Sequence, residues 1–145
     1  MPDTNLHFLD ASIWKYAVLE KGKAEKIESA QSLIAMQPAI TSIHVIDDVC
    51  AELLKKGKGA EESIHNFIED VFTNHRVVAL DKDGYLTAAD LQRDYHLKFH
   101  DSLIVAAALL SGAKMIYTDA FKPGLVFREM VHTINPFPKP GRPRK

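Results

Sequence analysis

Four aspartates of this sequence stand either directly after a predicted strand or in the first turns of a predicted helix. They are widely spaced along the chain: Asp10, Asp48, Asp101 and Asp119. Crowded carboxylates repel and raise one another's pKa unless a cation offsets their charge. Oxygen-only ligands favour Mg²⁺ or Mn²⁺, ions that polarise phosphoryl oxygens and activate water. Convergence of these four acids would therefore indicate a metal site suited to phosphoryl chemistry.

Each aspartate also has a structural interpretation. Asp48 and Asp101 fall near predicted helix N-termini, where the helix dipole and free N–H groups favour a carboxylate whatever the function. Asp10 is harder to explain in this way, because it directly follows the apolar run at residues 7–9 and precedes an apolar helix. A charge in such a place is costly without a partner. Asp10 is therefore the strongest single candidate.

The elements that must position these acids alternate along the chain. Apolar and β-branched runs predict strands at residues 7–9, 38–41, 77–80, 114–117 and 131–134. Helical spacing predicts helices at 13–18, 23–36, 45–53, 60–74, 87–95 and 101–111. Strands joined by helical crossovers pair in parallel, so we expect an α/β fold, a three-layer α/β/α sandwich around a mainly parallel sheet. Ligands bind beyond the carboxyl ends of such strands, where Asp10 and Asp119 fall.

Composition favours one soluble domain. The chain has 145 residues, of which 46% are hydrophobic and 26% charged, and no apolar run approaches the roughly 20 residues of a membrane helix. The N-terminal residues lack the basic start of an export signal, so we expect a cytoplasmic protein that does not enter a membrane. The single Cys50 excludes an intrachain disulfide and a cysteine-based zinc site.

Charge divides the chain into two regions. Residues 136–145 contain four prolines and four basic side chains but no acid, whereas residues 1–135 carry 14 basic and 19 acidic side chains, a net charge of −5. We therefore predict a domain over residues 1–135 and an extended, proline-rich basic tail over 136–145. The tail is either a solubilising end or an arm that reaches phosphates or an acidic partner.

Five short segments carry a resemblance to a known family. They are Phe-Leu-Asp-Ala-Ser at 8–12, Ser-Ile-His-Val-Ile-Asp-Asp at 42–48, Phe-His-Asp-Ser-Leu-Ile-Val-Ala-Ala-Ala at 99–108, Tyr-Thr-Asp-Ala-Phe-Lys-Pro-Gly at 117–124, and Asn-Pro-Phe at 135–137. Together they resemble the acidic motifs of PIN domains, and most closely those of VapC-like toxins of toxin–antitoxin pairs. The resemblance covers nearly the whole chain, and the segment at 99–108 is its most specific part.

The resemblance implies an Mg²⁺- or Mn²⁺-dependent endoribonuclease that acts on RNA, is held inactive by a cognate antitoxin and forms a homodimer. It also implies roles for individual residues. Asp10, Asp48 and Asp101 would bind the ion, Asp119 would position the water or a second ion, and Ser12 and Thr118 would hydrogen-bond around them. Glu52, one turn after Asp48 on the same helix face, is an alternative to it.

One departure from the family pattern supports a second hypothesis. The family's fourth acid usually falls two residues after the threonine, and that position here is Ala120, with Asp119 one place earlier. The alternative is therefore a catalytically impaired PIN module that binds RNA or a protein partner.

Two further features are open to interpretation. His44 lies one turn before Asp48 and either contacts a substrate phosphate or packs, and His100 is a candidate to orient Asp101. Residues 81–86, with Asp90, partly match a calcium-binding loop, but an apolar strand stands where the entering helix should be and the closing Glu is absent. We therefore predict a strand-to-helix turn there.

Overall fold

The computed structural model describes residues 6–137, and strands alternate with helices through most of this range. Its strands are β1 (His7–Leu9), β2 (Ile40–Ser42), β3 (Arg76–Val78), β4 (Met115–Tyr117), β5 (Val126–Phe127) and β6 (Val131–Ile134). Its helices are α1 (Ala11–Leu19), α2 (Ala24–Ala35), α3 (Ile43–Leu54), α4 (Ala60–Asn74), α5 (Lys82–Tyr95) and α6 (Phe99–Ser111). Most of the predicted tail, residues 138–145, lies outside the described range.

The six strands form one sheet in the order β3-β2-β1-β4-β6-β5. All neighbouring pairs are parallel except β5 and β6. Phe8 of the central β1 lies opposite Ile40 on one side and Ile116 on the other, and all three side chains are buried. Helices flank the sheet, so the predicted α/β sandwich with a mainly parallel sheet is confirmed.

Strand β5 was not predicted. It has two residues, too few to show a period, and it joins β6 through Arg128, Glu129 and Met130, the first two of which have positive φ. Hairpin turns with positive φ at two successive residues usually carry Asn-Gly or Asp-Gly there, and Arg128-Glu129 is neither. The local sequence therefore gives no hairpin signal.

Helix α5 begins five residues before the predicted start. Asp81 caps it, because its Oδ1 accepts the N–H of Gly84 at 2.9 Å. A carboxylate at this position satisfies an N–H group that has no partner within the helix. The predicted turn at residues 81–86 is therefore wrong for residues 82–86, which form the first turn of the helix.

Two packing features hold the elements that carry the acids. Helix α6 is buried on nearly every side from Ser102 to Ala108, which leaves Asp101 half-buried in its first turn. Trp14 of α1 is buried, donates its Nε1–H to the carbonyl of Leu9 at 3.2 Å, and meets the rings of Phe67 and His75 edge to face. These contacts fix α1 against the end of β1. Within residues 6–137, no helix combines the length and apolar character needed to cross a membrane.

Candidate active site

Asp10 stands at the junction of β1 and α1. Its N–H donates to the carbonyl of Tyr117 at 3.1 Å, which continues the pairing of β1 with β4, and its side chain caps α1. Oδ1 accepts the N–H of Ala11 at 2.7 Å, and Oδ2 accepts the hydroxyl hydrogen of Thr118 at 2.8 Å. The residue is only 6% exposed. The fold therefore holds one carboxylate in a fixed position at the carboxyl edge of the sheet.

Burial raises the pKa of the Asp10 carboxyl above its ordinary value. The hydrogen bonds from Thr118 and Ala11 lower that pKa, and the negative charges of Asp101 and Asp48 raise it further. The two acids, which come from α6 and α3, therefore lie close enough to act on Asp10 through space. A cation among the three carboxylates would offset this repulsion and favour the ionised form.

All four predicted acids line one open pocket of about 440 Å³. Asp48 enters it from α3, Asp101 from α6, and Asp10 and Asp119 from the ends of β1 and β4. The remaining lining residues are Ala11, Ser12, Lys15, Tyr16, Leu19, Lys21, His100, Ile104 and Ala120. The fold thus brings together acids that are separated by up to 109 positions in the sequence.

Asp119 is held by two groups of α1. Its backbone N–H donates to Ser12 Oγ at 3.1 Å, and its Oδ2 accepts the hydroxyl hydrogen of Tyr16 at 3.2 Å. The neighbouring Ala120 also lines the pocket, and its N–H donates to Thr118 Oγ1 at 3.0 Å. Ser12 and Thr118 therefore both bind the segment that carries Asp119, and Thr118 binds Asp10 as well.

His100 contacts Asp48, whereas the sequence suggested Asp101 as its partner. Its Nε2 lies 2.7 Å from Asp48 Oδ2, so this side chain is placed to orient Asp48 rather than Asp101. Glu52 does not line the pocket, and its carboxylate accepts a hydrogen bond from Lys55 Nζ at 3.4 Å. His44 also lies outside the pocket lining, with its Nε2 3.1 Å from the hydroxyl of Tyr85.

Three polar side chains of the pocket were not singled out from the sequence: Lys15, Tyr16 and Lys21. Lys15 lies three positions after Ser12 on α1, a spacing that places both on one helix face. Tyr16, four positions after Ser12, lies on the same face, so this spacing could have found both residues once Ser12 was a candidate. Lys21 gave no comparable signal, because it lies beyond the end of α1.

The donor atoms in the pocket suit a hard divalent cation. They are carboxylate oxygens, the ligands that Mg²⁺ and Mn²⁺ prefer, and one of them belongs to a buried group whose charge needs compensation. In the part of the chain that the structure describes, no three His, Cys, Asp or Glu side chains form a complete metal-ligand cluster. The suitability of this pocket for Mg²⁺ or Mn²⁺ therefore rests on the chemistry of its donor atoms and on the raised pKa of Asp10.

An α/β domain with an acid-lined pocket at the carboxyl edge of its sheet is the class of protein that these observations define. The family model described as "PIN domain" matches residues 7–120. The chain therefore belongs to the PIN domain family, and the resemblance noted in the sequence is confirmed. A search of curated proteins gives no match.

Several solved structures share the fold. A toxin–antitoxin complex from Klebsiella pneumoniae matches with a TM-score of 0.68 and 20% identity over 90% of this chain and 98% of that one. FitAcB from Neisseria gonorrhoeae matches with a TM-score of 0.66 and 15% identity over 90% and 97%. VapC20 of Mycobacterium tuberculosis, described as a sarcin-ricin loop cleaving toxin, matches with a TM-score of 0.62 and 22% identity over 80% and 89%.

Proposed function

We propose that this protein is a divalent-metal-dependent endoribonuclease. The observation that carries the proposal is the buried Asp10, which shares one pocket with Asp48 and Asp101 from two other elements. Membership of the PIN domain family and the likeness of the fold to a sarcin-ricin loop cleaving toxin support it. The substrate class is RNA, and the reaction is hydrolysis of a phosphodiester bond.

In this proposal Asp10, Asp48 and Asp101 hold Mg²⁺ or Mn²⁺, and Asp119 orients the attacking water or a second ion. When bound, such an ion polarises a phosphoryl oxygen, lowers the pKa of water and stabilises the leaving oxygen. Thr118 fixes the Asp10 carboxylate, and Ser12 and Tyr16 fix Asp119. His100 orients Asp48 by the 2.7 Å contact between them. Groups that hold metal ligands in this way tune both affinity and activity.

We also propose that the nuclease is the toxin of a toxin–antitoxin pair. Similar structures include a toxin–antitoxin complex that aligns over 90% of this chain. A cognate antitoxin would then be its protein partner, a homodimer its assembly and the cytoplasm its location. Copurification with the product of a neighbouring small gene, followed by mass measurement of the complex, tests this part separately from the nuclease activity.

The matched pair Asp48→Asn and Asp47→Asn tests the metal site. Both residues lie on α3, but Asp48 lines the pocket and Asp47 is exposed outside it. Loss of groups that only support metal ligands costs about 10–100-fold, so we expect Asp48→Asn to lose at least about 100-fold in cleavage of a labelled structured RNA with Mg²⁺. Asp47→Asn should cleave at the wild-type rate. Cleavage that persists in EDTA, or equally in both variants, would refute the proposal.

Ala120 supports the second candidate, a PIN module that binds RNA without cleaving it. This residue lines the pocket beside Asp119, and a methyl group cannot bind a cation. Two variants distinguish the candidates. If Asp119 serves as the fourth acid, Asp119→Asn should reduce cleavage and Ala120→Asp should add little. If wild-type protein binds RNA without cutting it and Ala120→Asp creates Mg²⁺-dependent cleavage, the impaired module is correct.

A further inference from the structure

The turn between α1 and α2 approaches the ring of Tyr16 more closely than a side chain would allow. Helix α1 ends at Leu19 and α2 begins at Ala24. Gly22, between them, has a φ of +110°, and a Cβ atom at this position would lie 3.3 Å from Cε1 and 3.6 Å from Cδ1 of the Tyr16 ring. Carbon atoms in contact prefer about 3.5–4.0 Å, so a side chain here would press on the ring. Gly22 therefore supplies both the backbone angle and the space that this ring needs.

Tyr16 has further neighbours besides the turn. Its ring packs against the ring of Phe137 with 4.8 Å between centroids, and Lys26 Nζ lies 5.5 Å from the centroid of the Tyr16 ring. Its backbone carbonyl accepts the N–H of Glu20, the residue that caps α1, at 3.1 Å. Because close-packed groups transmit a displacement to their neighbours, pressure from the turn on this ring would move its hydroxyl.

The Tyr16 hydroxyl holds an exposed carboxylate of the pocket. It donates to Asp119 Oδ2 at 3.2 Å, and within residues 6–137 no other hydrogen bond reaches this carboxylate. A distance of 3.2 Å is already long for an O–H···O bond, so a shift of a few tenths of an ångström away from Asp119 would break it. The Asp119 carboxylate would then turn freely between its rotamers.

The direction of the Asp119 carboxylate matters because the next residue is Ala120, whose methyl group cannot bind a cation. Asp119 lines the same pocket as the other three acids. It can replace the acid that is absent at position 120 only if its carboxylate is held towards them.

We infer that Gly22 is a positioning residue of the carboxylate pocket, because it lets the Tyr16 ring lie where its hydroxyl directs Asp119 towards the other acids. The inference rests on the proposed ribonuclease function. It extends the site from the side chains that line the pocket to a backbone turn outside it.

Alanine substitution of two turn glycines tests the inference. Gly57→Ala, in the turn between α3 and α4, is the matched control, because Gly57 has a φ of +82° but a Cβ there would meet nothing within 4 Å. Cleavage of a labelled RNA in Mg²⁺ gives kcat and KM. Loss of groups that support metal ligands costs about 10–100-fold, so we expect Gly22→Ala to lower kcat at least about 10-fold with KM nearly unchanged. Gly57→Ala should keep the wild-type kcat, and equal kcat values in the two variants would overturn the inference.

Tyr16→Phe shows whether Gly22 acts through the hydroxyl. This variant keeps the ring, and Tyr85→Phe is its control, because the Tyr85 hydroxyl lies 3.1 Å from His44 Nε2 outside the pocket. Gly22→Ala should lower kcat in the wild-type background but add little in the Tyr16→Phe background. A loss of the same size in both backgrounds would mean a general structural effect and would refute the inference. Should Gly22→Ala not fold, Tyr16→Phe decides: a wild-type kcat contradicts the inference, and a 10-fold loss that Tyr85→Phe lacks supports it.

Mn²⁺ binding to RNA-free protein, measured by calorimetry, separates this inference from the proposed activity. If wild-type protein does not cleave RNA but Gly22→Ala and Tyr16→Phe bind Mn²⁺ about 10-fold more weakly than their controls, the positioning is correct and the nuclease proposal is wrong. If wild-type protein cleaves RNA and Gly22→Ala matches it in kcat and in Mn²⁺ affinity, the nuclease proposal stands and the inference is wrong. An unchanged affinity beside a lowered kcat would support the positioning and assign Asp119 to the attacking water. Protein that neither cleaves RNA nor binds Mn²⁺ would overturn both.

Discussion

At the scale of single residues, Asp10 combines two demands that conflict. The fold places it at the end of the central strand and buries it, while the proposed metal site requires its charge. Thr118 and Ala11 supply two hydrogen bonds to the carboxylate, yet its pKa is still raised. Ionised Asp10 is therefore an internal cost to stability that a bound cation would offset.

The pH dependence of stability follows from that raised pKa. Below the ordinary value of 3.8 the carboxyl is protonated in both folded and unfolded chains, so it adds no pH dependence. As the pH rises towards the raised folded-state value, the unfolded chain loses its proton first, and the free energy of unfolding falls. Asn does not titrate, so we expect Asp10→Asn to become more stable relative to wild type across that window.

Urea unfolding between about pH 4 and pH 8 in EDTA measures this difference. The gap between Asp10→Asn and wild type should widen with pH and then level off, and Mg²⁺ should narrow it at neutral pH by binding the wild-type site. Asp47→Asn, an exposed acid outside the pocket, is the control. A gap that shrinks as the pH rises would contradict the assigned direction of the pKa shift.

At the scale of elements, the capping of helices explains both a success and an error of the sequence prediction. Asp10 and Asp81 each follow an apolar stretch and cap a helix, α1 and α5. The buried apolar face begins at once in α1 but only at Ala88 and Leu91 in α5, whose first turn is exposed apart from Gly84. A periodic pattern detects the buried face of a helix, so it misses a polar first turn that is fixed by its cap.

Substitution of the α5 cap should affect stability alone. We expect Asp81→Ala to lower the free energy of unfolding by about 1 kcal/mol, because the N–H of Gly84 loses its acceptor. Asp83→Ala, in the same turn, removes an acid that is present in the first turn but is not the cap, and should cost only a few tenths of a kcal/mol. Chemical denaturation measures both, and RNA cleavage should remain at the wild-type level. Equal losses in the two variants would show that the dipole, rather than the cap, matters.

At the scale of the whole molecule, the sequence predicted the order of most elements and the convergence of the four acids, because parallel crossovers place strand ends at one edge. The resemblance implies Ser12 and Thr118 around these acids, but the sequence does not predict two further partners. The contacts of His100 with Asp48 and of Tyr16 with Asp119 join segments 52 and 103 positions apart. Such contacts depend on side-chain packing between elements, and no local pattern encodes them.

The C-terminal boundary of the domain also depends on packing that a local sequence pattern does not show. Residues 136 and 137 belong to the predicted tail, because proline and basic residues dominate 136–145. In the structure Phe137 is 6% exposed, donates its N–H to Asn135 Oδ1 at 2.9 Å and packs against Tyr16. An aromatic ring within a polar, proline-rich run is thus part of the core, and we propose that the domain extends to Phe137.

Phe137→Ala tests this boundary. Truncation of a buried phenylalanine costs about 3–5 kcal/mol, a large part of the roughly 5–15 kcal/mol that stabilises a domain. We expect a loss near the lower figure, because the ring lies at the edge of the core, and slower RNA cleavage, because Tyr16 would hold Asp119 less firmly. Phe72→Ala on α4, where the ring is 54% exposed, should change stability by less than about 0.5 kcal/mol. Thermal unfolding measures the stability of both variants. Equally small losses in the two would mean that Phe137 belongs to the tail and not to the domain.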